Sequence, residues 1–211
     1  MAETPPARMS FPPRTLLGPG PSNIDPRVFQ ALSTPLLGYL DPLFLQVMDE
    51  TAELLRWAFR TTNPLTLSLS GTGSAGMEAA LANVLEPGDT LVVGVSGFFG
   101  DRVCQVAERY RARVVRVETE WGRPLDPAAV QRAMEASGPV KALAVVHVET
   151  STGVHQPMEE LAHLAHRAGA LLVVDAVTSL GGIDLRVDDW GIDVCYSCTQ
   201  KCVGAPPGLA P

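Results

Sequence analysis

The chain has 211 residues, a formal net charge of -7 and a pI near 5.1. This acidic balance argues against a nucleic acid or an anionic membrane surface as a partner. With 46% hydrophobic and 18% charged residues, the composition is typical of a soluble globular protein and excludes a disordered chain.

The amino-terminal stretch MAETPPARMSFPPRT is polar and proline-rich, without the apolar segment of a signal peptide or a basic amphipathic helix. The longest apolar runs, such as ALLVV, are too short to span a bilayer. We therefore expect a cytoplasmic protein without a targeting or membrane-spanning segment.

The predicted elements alternate between helices and apolar strands. A helix is predicted from Asp41, an N-cap residue followed by Pro42, and its apolar stripe includes Phe44, Met48 and Phe59. Further helices are predicted over 74–85, around 101–111, after Asp126 and over 157–166. Strands are predicted over 65–70, 90–95, 113–118, 141–149, 170–176 and 192–197.

This alternation predicts an α/β fold, a mostly parallel sheet sandwiched by helices. In such sheets, ligands bind outside the carboxyl ends of the strands. The residues that follow each strand are therefore the first candidates for a functional site.

Four cysteines, at positions 104, 195, 198 and 202, make a poor disulfide framework for a chain of this length. Cys195 and Cys198 form a C-x-x-C motif, but no second pair completes a tetrahedral site. We expect reduced thiols and no metal.

A glycine-rich turn, SGTGSAG, follows the first predicted strand and precedes a helix. Its glycines allow a ligand close to the backbone, and the helix N-terminus offers unpaired N–H groups to a phosphate. The same glycines fit a dinucleotide-binding G-x-G-x-x-G motif, although the next strand does not end in the acid that this motif requires. A tight strand–helix turn without a ligand is the third interpretation.

Other strand ends carry Phe98 and Phe99, then Thr150, then Asp175, and finally Lys201. An aromatic ring can stack on a flat ligand, and a buried carboxylate needs a cationic partner such as a protonated ring nitrogen. A lysine in a dry cleft has a lowered pKa and can form a Schiff base. Together with the glycine-rich turn, these groups match the needs of pyridoxal 5'-phosphate.

The segments LLGPGPSN, NPLTLSLSGTGSAGMEAAL, LEPGD, ETSTGV, LLVVDAVTSLGG and SCTQKCVGAPPG occur in this order along the chain. In them the chain resembles the alanine–glyoxylate and serine–pyruvate aminotransferases, which are class V members of the fold-type I pyridoxal-phosphate enzymes. The resemblance implies an aminotransferase that moves an amino group from alanine or serine to glyoxylate or pyruvate. Its substrates would be amino acids and 2-oxo acids.

The resemblance also implies a role for each candidate residue. Lys201 would bond covalently to the cofactor, with Gln200 beside it, and Asp175 would pair with the pyridine nitrogen. Val177 and Phe99 would cover the two ring faces, although the family commonly has tryptophan where Phe99 stands. The remaining contacts would be Thr150 near the phenolic oxygen, and Thr72, Gly73 and Ser74 at the phosphate.

Members of this family continue past the lysine into a smaller carboxyl-terminal domain, and they form homodimers when full length. We therefore expect an amino-terminal arm and loop over 1–23 and an incomplete cofactor-binding domain over 24–211. Two alternatives stay open: another class V enzyme such as a cysteine desulfurase, and a truncated fragment without catalytic activity. A desulfurase would usually stack a histidine where this chain has Phe98 and Phe99.

Overall fold

The computed structural model describes residues 9–211. Its elements in chain order are α1 (Pro26–Leu32), α2 (Pro42–Phe59), β1 (Leu69–Gly71), α3 (Gly73–Val84), β2 (Thr90–Val95), α4 (Phe98–Arg109), β3 (Arg113–Glu118), α5 (Pro127–Ala136), β4 (Ala142–Val146), β5 (Val148–Glu149), β6 (Val154–His155), α6 (Glu159–Arg167), β7 (Leu171–Asp175), β8 (Val194–Tyr196) and β9 (Gly208–Ala210).

Five strands form a parallel sheet in the order β3-β2-β4-β7-β8. The short strands β1 and β9 pair antiparallel with each other, as do β5 and β6. Backbone bonds from Ser197 N to the Pro211 carbonyl (2.8 Å) and from Thr199 N to the Leu209 carbonyl (3.1 Å) place β9 beside the segment that leaves β8.

The two faces of the parallel sheet bury two separate apolar clusters. Because side chains alternate along a strand, Leu91 and Val93 of β2 pack with helices α3 and α4, whereas Val92 packs with α5 and α6. Strands β2 and β4 are buried along their whole length, as expected for a sheet covered on both faces. The predicted α/β class, a parallel sheet sandwiched by helices, is confirmed.

Several predicted elements are confirmed closely, among them the strands 90–95 and 113–118 and the helix capped by Asp41. The Asp41 side chain accepts a hydrogen bond from Leu43 N at 2.8 Å, and Asp126 caps α5 in the same way. In both helices the capping residue and the spacing of the apolar residues predict the same helix start.

Three predictions about elements are wrong. The strand predicted over 65–70 begins only at Leu69, because the Asn63 side chain accepts a hydrogen bond from Leu65 N and holds a turn there. The strand predicted over 141–149 is interrupted at His147, whose N–H still donates to the Asp175 carbonyl at 2.9 Å; beyond it the chain pairs as a β5–β6 hairpin instead. Helix α4 begins at Phe98 rather than near position 101, so the two phenylalanines lie in its first turn.

Helix α1 and strands β6 and β9 were not expected from the sequence. The division into an arm over 1–23 and a domain over 24–211 stays a prediction, and the first eight residues of that arm lie outside the described residues. Within residues 9–211, no helix is both long and apolar enough to cross a bilayer.

We expect the substitution Leu143→Ala in β4 to lower the free energy of unfolding by about 2–5 kcal/mol, because it opens a cavity in a rigid core. Leu143 is fully buried, whereas Leu65 is 78% exposed, so Leu65→Ala is the matched control. Urea denaturation of both variants measures the difference. Equal losses of stability at the two positions would contradict the assignment of the core.

Candidate active site

Asp175 is the last residue of β7 and lies almost wholly buried, at 4% exposure. One carboxylate oxygen accepts a hydrogen bond from Val177 N and the other from the Tyr196 hydroxyl, both at 2.9 Å. Within residues 9–211, no lysine, arginine or histidine forms an ion pair with this carboxylate. The site therefore contains a buried acid that lacks a cation.

Burial raises the pKa of Asp175 to about 6, although its hydrogen bonds with Val177 and Tyr196 oppose this effect. The nearby carboxylate of Glu149 raises the pKa further through charge repulsion. A cationic ligand beside Asp175 would relieve both penalties. Burial likewise raises the pKa of the Tyr196 hydroxyl, which keeps that group protonated as a donor.

The glycine-rich turn lies directly against the residues that follow Asp175. A Cβ atom at Gly73 would stand 2.8 Å from Val177 Cγ2 and 3.5 Å from Cys198 Cβ, so no other residue fits there without displacing its neighbours. Thr72 is the N-cap residue of α3, but its side chain makes no capping hydrogen bond. The first N–H groups of α3, including those of Gly73 and Ser74, are therefore available to an anion.

Thr150 is linked to the same cluster through Thr178. The two hydroxyl oxygens lie 3.4 Å apart, and Thr178 follows Val177 in the chain. Phe99 is half-buried in the first turn of α4, and its backbone N–H donates to the carboxylate of Glu149, the neighbour of Thr150. Its ring lies edge-to-face with Phe98, with ring centroids 5.2 Å apart.

Lys201 lies in the turn that follows β8, under an amino-terminal loop. Its Nζ donates a hydrogen bond to the Pro19 carbonyl, and a Cβ atom at Gly20 would collide with Nζ. Ser22 binds the same turn, with its N–H on the Gln200 carbonyl at 2.9 Å and its hydroxyl on the Lys201 carbonyl at 2.8 Å. The loop over 16–23 thus covers the lysine.

Two contacts join the lysine turn to the Asp175 side of the site. The thiol of Cys202 lies 3.3 Å from the Thr178 carbonyl, and the thiol of Cys198 lies 4.0 Å from the Val177 carbonyl. Gln200 contributes a buried side-chain oxygen, Oε1, that has no hydrogen-bond partner within the described residues. An unpartnered buried acceptor of this kind is typical of a site that receives a ligand.

These features fit a phosphorylated pyridine ring. The buried Asp175 carboxylate suits a protonated ring nitrogen, the Gly73 turn leaves backbone N–H groups for a phosphate, and Gln200 offers a free acceptor. The sequence-predicted site residues all lie in loops or at the ends of elements: Thr72, Gly73, Ser74, Phe99, Thr150, Asp175, Val177, Gln200 and Lys201.

The sequence did not indicate four residues of this site. Tyr196 stands opposite Asp175 in the β7–β8 register, and the position of one strand beside the other was needed to identify it. Pro19 and Ser22 contact the lysine turn across about 180 positions of sequence, without any local signal. Glu149 stood in a quoted motif, but nothing in its spacing indicated that it reaches α4.

Comparison with known proteins gives a consistent result. The family model described as Aminotransferase class-V matches residues 37–210. The chain is 43% identical over 200 residues to the (S)-ureidoglycine–glyoxylate transaminase of Bacillus subtilis, covering 95% of this chain and 48% of that protein. It is 44% identical over 202 residues to the alanine–glyoxylate aminotransferase of Rattus norvegicus, covering 96% and 49%.

Among solved structures, the alanine–glyoxylate aminotransferase from Nostoc sp. superposes with a TM-score of 0.94 at 46% identity. The superposition covers 100% of this chain and 55% of that one. The chain thus spans about half the length of the relatives that it matches. Because the family model covers most of its residues, the chain belongs to the class-V aminotransferases, which are enzymes that depend on pyridoxal phosphate.

Proposed function

We propose that the protein is an aminotransferase that moves an amino group from alanine or serine to glyoxylate or pyruvate. The observation that carries this proposal is the buried Asp175 carboxylate, which has no ion-pair partner within residues 9–211 and lies next to the Gly73 turn and the Lys201 turn. A site that binds a cationic, phosphorylated ring between these three groups matches the family's cofactor. Transamination is the reaction that the relatives' names share.

The names of the relatives also support the choice of acceptor. The enzymes from Bacillus subtilis and Rattus norvegicus differ in their amino donor, ureidoglycine or alanine, but both names contain glyoxylate. We therefore propose glyoxylate as the first acceptor to test, with pyruvate second. Alanine and serine are the proposed donors.

Each residue of the site would make a different contact with the cofactor. Thr72, Gly73 and Ser74 would hold the phosphate at the N-terminus of α3, where the helix dipole favours an anion. Asp175 would stabilise the protonated ring nitrogen, and Tyr196 would fix the orientation of that carboxylate. Val177 and Phe99 would cover the ring, while Thr150 and Gln200 would provide hydrogen bonds at its edge.

The bound cofactor supplies an electron-withdrawing ring that makes the amino acid's α-carbon acidic. Lys201 would hold the cofactor covalently until an amino acid replaces it. The amine of Lys201 would then act as the base that removes the α-proton and later returns a proton. The carboxylate of Asp175 favours this step by stabilising positive charge on the ring nitrogen.

We also propose that the protein works as a homodimer. Helices α1 and α2 and the loop between them expose large apolar side chains, among them Phe29, Leu36, Tyr39, Leu40, Leu54 and Trp57. A concentration of exposed large apolar side chains on one part of a soluble chain is typical of an interface. A second copy of the chain is the occupant that the family resemblance favours.

A cytoplasmic location is proposed from the thiols. Cys104, Cys195, Cys198 and Cys202 are all unpaired. Unpaired thiols in a chain with four cysteines are typical of proteins in a reducing compartment.

The cofactor assignment can be tested by borohydride reduction of the protein mixed with pyridoxal phosphate, followed by peptide mapping. The chain has two lysines, Lys141 and Lys201, so each is the other's control. We expect the label on Lys201 and its loss in Lys201→Arg, whereas Lys141→Arg should label like the wild type. A label on Lys141 alone, or none on folded protein, would refute the proposed attachment.

The role of Asp175 predicts a pH dependence of stability in the cofactor-free protein. Its pKa in the folded state, about 6, lies above the ordinary value of 3.8, so the folded protein binds this proton more tightly. Asp175 therefore adds stability that is complete below about pH 4 and is lost as the pH rises through about 6. The two-unit shift corresponds to about 3 kcal/mol.

Urea denaturation between pH 4 and 7.5 of the wild type and Asp175→Asn measures this effect. We expect the stability of the wild type relative to the variant to fall by about 2–3 kcal/mol across that range. Asp189→Asn, at an exposed aspartate, is the matched control. If the difference in unfolding free energy between the wild type and Asp175→Asn does not change with pH, the pKa of Asp175 is not raised in the folded protein.

A further inference from the structure

Glu149 is a fully buried carboxylate to which the aminotransferase chemistry assigns no role. It ends β5, directly before Thr150, and its side chain crosses to the first turn of α4. Within residues 9–211 it forms no ion pair with lysine, arginine or histidine. Burying such a group is costly unless hydrogen bonds replace its water.

Four donors surround this carboxylate. The N–H groups of Phe99 (3.1 Å) and Gly100 (3.3 Å) bind one oxygen, while the N–H (3.1 Å) and the hydroxyl (2.7 Å) of Ser151 bind the other. The Ser151 hydroxyl in turn accepts the N–H of Phe98 at 2.9 Å. Glu149 and Ser151 together satisfy the first N–H groups of α4, which has no side-chain cap of its own.

The residue before this helix is shaped to admit the carboxylate. A Cβ atom at Gly97 would lie 2.5 Å from Glu149 Cγ and 2.5 Å from Ser151 Oγ. The close approach of the two segments therefore requires glycine at position 97. Because the helix cap comes from 50 residues away, the start of α4 and the Thr150 segment cannot shift independently.

We propose that Glu149 is a positioning residue that holds the Phe99 ring and the Thr150 hydroxyl at a fixed separation, so that both meet the same cofactor ring. The inference rests on the proposed function, since Phe99 and Thr150 are the groups assigned to that ring. A local serine or aspartate is the usual cap of a helix N-terminus, and such a cap would leave the Thr150 segment free to move relative to α4. Only a cap that comes from the Thr150 segment also fixes the distance between the Phe99 ring and the Thr150 hydroxyl.

A double-mutant cycle separates positioning from a merely structural role. The dissociation constant for pyridoxal phosphate is measured for the wild type, Glu149→Gln, Phe99→Ala and the double variant by absorbance titration. We expect Glu149→Gln to weaken binding by up to about tenfold, because the variant can lose at most what a correctly placed Phe99 ring contributes by stacking on the cofactor. In the Phe99→Ala background, Glu149→Gln should cause less than about a twofold further loss.

If the losses of affinity in the two single variants multiply fully in the double variant, Glu149 acts independently of the Phe99 ring. That result would overturn the inference. Glu120→Gln, at an exposed glutamate, is the control that should bind like the wild type. The circular dichroism of the bound cofactor is a second readout, and its visible band should weaken in Glu149→Gln but not in Glu120→Gln. An unchanged band in Glu149→Gln would likewise count against positioning.

Amide hydrogen exchange on the cofactor-free protein tests the hydrogen bonds themselves. Glu149→Gln should speed exchange at Phe99 and Gly100 while leaving the buried strands β2 and β4 protected, which also shows that the variant folds. Unchanged exchange at both amides would overturn the inference even if the cofactor binds. Failure of the wild type to bind pyridoxal phosphate would instead refute the proposed function, and the positioning role with it. Faster exchange at Phe99 and Gly100 in Glu149→Gln would in that case still show that Glu149 caps α4.

Discussion

The buried carboxylate of Asp175 is the feature around which the site is organised. Strand β7 carries it to the carboxyl edge of the parallel sheet, and the Val177 N–H and the Tyr196 hydroxyl fix both of its oxygens. These two neutral donors do not supply the positive charge that a buried carboxylate requires, and its pKa stays raised to about 6. The protein thus holds a buried negative group whose desolvation penalty a cationic ligand would relieve.

The sheet topology explains why the other groups gather around this acid. Parallel strands end at one edge, so the segments after β4, β7 and β8 bring Thr150, Asp175 and Lys201 to the same side of the sheet. Helix α3 adds its N-terminus there, pressed against Val177 through Gly73. The amino-terminal loop then closes over Lys201 through Pro19 and Ser22.

Much of this arrangement could be predicted from the sequence, because local patterns determine it. Buried strands such as 90–95, the Asp41 cap and the acid at the end of an apolar strand all carry their signal within a few residues. The fold class follows from such patterns, whereas the family was indicated by the resemblance of longer segments such as LLVVDAVTSLGG and SCTQKCVGAPPG. The residue roles drawn from the family resemblance remain proposals, which the contacts around Asp175, Gly73 and Gln200 support.

The features that the sequence did not predict depend on contacts between distant segments of the chain. The start of α4 was placed three residues late because its cap, Glu149, lies 49 to 50 positions away. Tyr196 reaches Asp175 only because β8 pairs beside β7, and the loop around Pro19 reaches Lys201 only in the folded chain. No propensity scale contains such information, since it arises from tertiary packing.

The pairing of Asp175 with the cofactor is tested most directly by nuclear magnetic resonance of pyridoxal phosphate labelled with ¹⁵N in its ring and bound to the wild-type protein. The account predicts a protonated ring nitrogen at pH 7.5, with the proton lost in Asp175→Ala. A neutral ring nitrogen in the wild type, or one whose protonation does not depend on Asp175, would contradict it.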